Sequence, residues 1–131
     1  MFTDNIKDMG TNEDNYNVTI LIAEDEESNF LLLKTILKRH CNVLQARPGL
    51  ELLKVFAEKG ADLILLDIKM PEMNGIEALK EIRKKDTNIP IIMQSAYAFE
   101  NDMEAARAAG SNGFITKPIN IVELKKTISK F

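Results

Sequence analysis

The chain has 131 residues, 45% of them hydrophobic and 28% charged, which fits one domain with a sizeable core. Its formal net charge of −3 argues against nucleic acid as a direct ligand, because phosphate backbones need a basic surface. The single cysteine, Cys41, excludes an internal disulfide and fits a reducing compartment, and no stretch is apolar enough to insert in a membrane or act as a signal peptide, so a cytoplasmic location is expected.

Met1 to Asn17 is polar and without period, and reads as a flexible N-terminal tail or linker remnant. The ordered domain is expected from Val18. Val18 to Ala23 is a β-branched apolar run, hence a buried strand, and it ends in four carboxylates, Glu24 to Glu27. A first helix follows with Phe30, Leu33, Ile36 and Leu37 at helical spacing, and His40, the only histidine, is expected to be exposed at its end. Cys41 reads as a small apolar residue leading into a short strand over Asn42 to Ala46. Pro48-Gly49 turns the chain into a second helix whose inner face should be Leu50, Leu53, Phe56 and Ala57, with Gly60 as its C-terminal cap.

Leu63-Ile64-Leu65-Leu66 has no alternation and reads as a strand buried on both faces. It runs into Asp67, then Pro71 and Asn74-Gly75, so it must stop close to the aspartate. Asn74 can cap a third helix with Glu77 three residues on, and Ile76, Leu79 and Ile82 form its stripe. Pro90 to Ser95 is a fourth strand. An alanine-rich fourth helix covers roughly Glu100 to Ala109, with Met103 its only large apolar residue. Gly113 to Thr116 is a fifth strand, and a fifth helix from Asn120 should pack Val122, Leu124, Thr127 and Ile128. Five strands alternating with five helices predict an α/β fold: a flavodoxin-like, doubly wound parallel sheet in order 2-1-3-4-5.

In that order the strand ends collect Glu24, Asp25 and Asp67 beside Ser95 and Lys117. Three carboxylates repel one another unless a cation joins them, and an all-oxygen set favours a hard ion such as Mg²⁺. Lys117 offers a compact charge and Ser95 a hydroxyl for a phosphate oxygen. A carboxylate can be a nucleophile that forms an acyl phosphate. The chemistry is phosphoryl transfer onto an aspartate.

Four pieces, Leu21-Ile22-Ala23-Glu24-Asp25, Leu65 to Gly75, Pro90 to Ala98 and Phe114-Ile115-Thr116-Lys117-Pro118, stand in the order and spacing of a known family. From Val18 to Phe131 the sequence resembles the receiver domain of two-component response regulators. The resemblance implies that Asp67 is the phosphoacceptor. Asp25 would bind Mg²⁺ directly, Glu24 directly or through water, and the Lys69 backbone carbonyl would complete the protein ligands. Ser95 and Lys117 would hold phosphoryl oxygens with the Ala96 backbone amide, Ser95 and Phe114 would form the switch, and Lys117-Pro118 would be cis. The phosphodonor would be a histidine kinase or histidine phosphotransfer domain, and the module itself no enzyme beyond its own phosphorylation and dephosphorylation. It would act as a monomer or weak dimer.

Glu24-Asp25, the turn after Asp67 and Ser95-Ala96-Tyr97-Ala98 look like receivers at the C-termini of hybrid histidine kinases, so the module is expected to come from one, as its cytoplasmic part where that kinase is membrane-bound, with a stand-alone regulator as the alternative. A phosphatase with an aspartate nucleophile usually carries a second aspartate two residues on, where this chain has Lys69. Lys69 and Tyr97 also lack a general base for water at neutral pH, which implies a long-lived phospho-Asp67.

Overall fold

The run Thr19–Ala23 forms strand β1, flanked on one side by β2 (Asn42–Ala46) and on the other by β3 (Leu63–Asp67). A computed structural model describes residues 18–47, 50–68, 74–96 and 100–131, the side chains of Glu100 and Asn101 excepted. The tail over 1–17, the Pro48-Gly49 turn, the Lys69 carbonyl, Pro71 and Tyr97 lie outside the described residues. Strands β4 (Ile91–Ser95) and β5 (Gly113–Thr116) complete a five-stranded sheet in the order β2-β1-β3-β4-β5, every pairing parallel. This is the expected flavodoxin-like order.

The helices are α1 (Glu27–Leu37), α2 (Leu50–Lys59), α3 (Gly75–Lys85), α4 (Glu100–Ala108) and α5 (Ile121–Ile128). Strand alternation divides the core in two. Ile20, Ile22, Leu63, Leu65, Ile92 and Ile115 face α1 and α5, where Phe30, Leu33, Leu37, Leu124 and Ile128 cover them. Leu21, Ile64, Leu66, Ile91 and Met93 face the other layer, covered by Leu52, Leu79, Ile82 and Ala106. Both faces of the sheet are therefore dry, which is why its strands read as unbroken apolar runs.

Local chemistry sets the ends. Ile76 N donates to Asn74 Oδ1 at 2.8 Å and Glu123 N to Asn120 Oδ1 at 3.1 Å, so both expected asparagine caps are formed. Gly60 has φ +68°, and its N donates to Phe56 O at 2.9 Å, closing α2.

Three packing expectations are corrected. Helix α2 turns Leu52 to the core, while Leu50 is 74% exposed and Ala57 is exposed. Its inner face is Leu52 with Leu53, Val55 and Phe56, so Leu53 and Phe56 pack inward as expected while Leu50 and Ala57 give way to Leu52 and Val55 on the same apolar-rich helix. Val122 is 73% exposed and Ile121 46%, and the residues of α5 buried in the core are Leu124 and Ile128. His40 is buried, at 2% exposure. The N–H groups of His40 and Cys41 both donate to Leu37 O, so the chain folds back under the end of α1 rather than leaving it. Cys41 is buried as expected, and burial, with the Asp62 charge, pushes its thiol up to about 11, which makes it inert.

Candidate functional site

The site sits at the C-terminal edge of β1, β3 and β5, where open parallel sheets place their ligands. Asp67 is the last residue of β3 and is 4% exposed; Glu24 directly follows β1 and is also buried, whereas Asp25 is exposed. Carboxylate oxygens of all three come within 4.8 Å of one another.

Lys117, one residue beyond β5, reaches across to them. Its Nζ lies 2.7 Å from Asp67 Oδ2 and 3.0 Å from each oxygen of Glu24. The backbone holds this reach in place: Lys117 N donates to Ser95 O at 2.7 Å, and the Lys117-Pro118 bond is cis, as expected. One ammonium thus bridges two buried carboxylates. Burial pushes the Glu24 carboxyl up to about 7, the Asp67 charge adds to this, and Lys117 opposes it. For Lys117 burial pulls downward, but the hydrogen bonds to Asp67 and Glu24 outweigh it, and the net shift is upward.

The structure brings Glu24, Asp25, Asp67 and Lys117 together as expected. Ser95 ends β4, buried, one residue past Gln94, which pairs in register with Asp67. Ala96 follows it, exposed. Phe114 lies opposite Met93, packs on the α2–α4 layer and lines a cavity of about 110 Å³ with Met103 and Arg107. Lys69 is outside the described residues.

Two contributors escaped the sequence reading. Gln94 is buried, and its Nε2 donates to Glu24 Oε2 at 3.4 Å; the available signal was an amide placed among buried apolar residues in β4. Gly75 read only as a turn residue. A Cβ there would overlap the Asp67 carbonyl oxygen and lie 2.7 Å from Ile68 Cα, and Gly75 N donates to Ile68 O at 2.6 Å. Glycine lets the start of α3 close against the backbone that carries Asp67.

The pattern of the response regulator receiver domain matches residues 20–129. The polar-differentiation response regulator DivK of Brucella anthropi is 34% identical over 116 residues, spanning 86% of this chain and 94% of its own length. The chain belongs to the response regulator receiver domain family. Solved receivers agree. The chemotaxis protein CheY4 of Vibrio cholerae superposes with a TM-score of 0.81 at 27% identity, covering 86% of this chain and 97% of its own. The receiver domain of Francisella response regulator 1452 gives 0.78 at 30% identity, covering 87% and 98%. This receiver is a phosphoacceptor module of two-component signalling rather than a conventional enzyme, and such modules take phosphate from histidine kinases or phosphotransfer proteins. No described helix is long and apolar enough to cross a membrane.

Receivers bind Mg²⁺ at an acidic pocket, and this donor set fits the ion. The ligands are all oxygen, Asp25 is open to solvent for the waters Mg²⁺ retains, and the carboxylates outnumber the one ammonium.

Proposed function

We propose that Asp67 accepts a phosphoryl group from a phosphohistidine of a partner protein. A carboxylate oxygen of Asp67 would attack phosphorus, an O–P bond would form as the N–P bond breaks, and the electron pair would leave on the imidazole nitrogen. The observation that carries this reading is the 2.7 Å contact of Lys117 Nζ with Asp67 Oδ2 inside a three-carboxylate cluster. Lys117 pairs with Asp67 and has a short move to a phosphoryl oxygen, where its charge offsets that developing in the transition state. Asp25 and Asp67, with Glu24 directly or through water and the Lys69 carbonyl, would hold Mg²⁺, whose charge neutralises the phosphoryl oxygens. Ser95 and the Ala96 amide would take the remaining oxygens.

Ser95 stands on β4 and Phe114 on the neighbouring β5, beside the cavity under α4. This supports a switch in which Ser95 moves to the phosphoryl group, Phe114 turns inward and the α4–β5–α5 face changes. A cytoplasmic setting follows from the proposed phosphodonor. Glu24-Asp25 and Ser95 to Ala98 support an origin in a hybrid histidine kinase. The stand-alone regulator is the second reading, favoured because DivK and CheY4 are matched over 94% and 97% of their own lengths. The coding sequence on either side of these residues decides between them.

Mass spectrometry after incubation with acetyl phosphate and Mg²⁺ tests the assignment. One phosphoryl adduct is expected on the wild type and none on Asp67→Asn. An adduct that survives this substitution refutes it.

A further inference from the structure

The amide in β4 demands a reason. All five residues of that strand are buried, and Gln94 is 2% exposed, so its side chain must find partners inside the protein or bear the full cost of desolvation. Alternation says where it points. Ile92 belongs to the core facing α1 and α5, so Gln94, two residues on, shares that face; Ile20 and Ile22 place Glu24 there, Leu63 and Leu65 place Asp67 there, and Ile115 places Lys117 there. Gln94 is also the register partner of Asp67. Four polar side chains from four adjacent strands thus form one row along the sheet edge.

Within this row the contacts are directional. Gln94 Nε2 donates to Glu24 Oε2 at 3.4 Å, and Lys117 Nζ donates to both Glu24 oxygens at 3.0 Å and to Asp67 Oδ2 at 2.7 Å. An ammonium has three protons, and these three acceptors match them. Oε2 of Glu24 takes two donors and Oε1 one, so the carboxylate is held mainly from the protein side. When a phosphoryl group joins Asp67, Lys117 must exchange its Asp67 contact for a phosphoryl oxygen. Glu24 is the contact it can keep throughout. A carboxylate that tethers a moving lysine needs its own orientation held, and Gln94 supplies the hydrogen bond that does so.

We propose that Gln94 is a positioning residue: it orients Glu24 as the fixed anchor of Lys117, and through it sets how readily Lys117 serves the phosphoryl group. The inference rests on Asp67 being the phosphoacceptor. Gln94→Met keeps length and bulk and removes the donor, and Gln94→Leu removes it with a different shape. Either variant lowers the maximal rate of Asp67 phosphorylation by acetyl phosphate about fivefold, the scale of one ordinary hydrogen bond. The Lys117 ¹⁵Nζ resonance shifts in the folded, unphosphorylated protein. In a Glu24→Gln background, Gln94→Met adds no further loss, because the effect passes through Glu24.

An unchanged rate and an unchanged Lys117 resonance in both Gln94 variants overturn the inference. So does an equal fold-loss with and without Glu24, which marks Gln94 as ordinary core. A wild type that gains no phosphoryl group, or gains it elsewhere than Asp67, sinks the parent reading as well. Wild-type phosphorylation at Asp67 with indifferent Gln94 variants sinks this one alone.

Discussion

At Glu24 the shift of its carboxyl has a measurable sign. The folded value, about 7, lies above the ordinary 4.5, raised first by burial and then by the Asp67 charge. The group's contribution to stability is therefore fully present below about pH 4.5 and is lost as pH rises through about 7. In metal-free protein, urea midpoints should fall across that interval, and Glu24→Gln should flatten the fall. Mg²⁺ needs the carboxylate, so the stabilisation by Mg²⁺ should grow over the same range. A flat wild-type profile would contradict this charge balance. Gly75 gives a second test at this scale. Gly75→Ala should cost about 1–3 kcal/mol in chemical denaturation, the usual range for overpacking, and should slow phosphorylation because the new methyl pushes on the Asp67 backbone.

Helix α2 shows how a correct element can be seated partly off its expected face. Leu53 and Phe56 pack inward as their spacing predicts, but of the flanking positions the core that holds Leu79 and Ile82 of α3 takes Leu52 and Val55 and leaves Leu50 in solvent. Leu52→Ala should cost about 2–5 kcal/mol, whereas Leu50→Ala should stay within about 0.5 kcal/mol. Comparable losses at the two positions would reverse the assignment. Another element-scale device is the clamp at the end of α3. Arg83 Nε and Nη2 donate to Gly110 O at 3.1 and 2.8 Å, Nη2 donates to Asn112 Oδ1 at 2.8 Å, and Nη1 donates to Asp86 O at 3.2 Å. Asn112 Oδ1 also accepts from Ile91 N at 2.9 Å, so one guanidinium ties α3 to the α4–β5 connection and the start of β4. Arg83→Ala should cost about 1–2 kcal/mol and speed hydrogen exchange at Ile91, and Arg83→Lys should recover little, since an ammonium lacks the planar fork.

Over the whole molecule, the doubly wound topology separates recognition from chemistry. Its C-terminal edge carries Glu24, Asp67, Ser95 and Lys117 above the two apolar cores, while Phe114 lies further back on β5, opposite Met93. His40, expected to be exposed, is instead buried at the opposite, N-terminal edge and has no part in that chemistry. A phosphohistidine would have to sit on an open helix surface, and His40 is enclosed under the end of α1. Substituting it should leave phosphorylation of Asp67 intact, as measured by the same mass shift.

The sequence alone determined the five strands and the residues of the acidic cluster with Lys117, and it suggested the strand order that the sheet then showed. These follow from short-range signals: unbroken apolar runs, asparagine caps, glycine stops and carboxylates placed where strands end. Tertiary structure alone decided which face of α2 is buried, that Val122 hangs free and that His40 is enclosed. Each depends on packing partners distant in sequence, which a helical period leaves ambiguous. The same holds at the site. That Glu24 turns both oxygens to Lys117, and that Gln94 and Gly75 support the arrangement, follows from four strands meeting at one edge. Those distances exist only once residues up to 93 positions apart stand side by side.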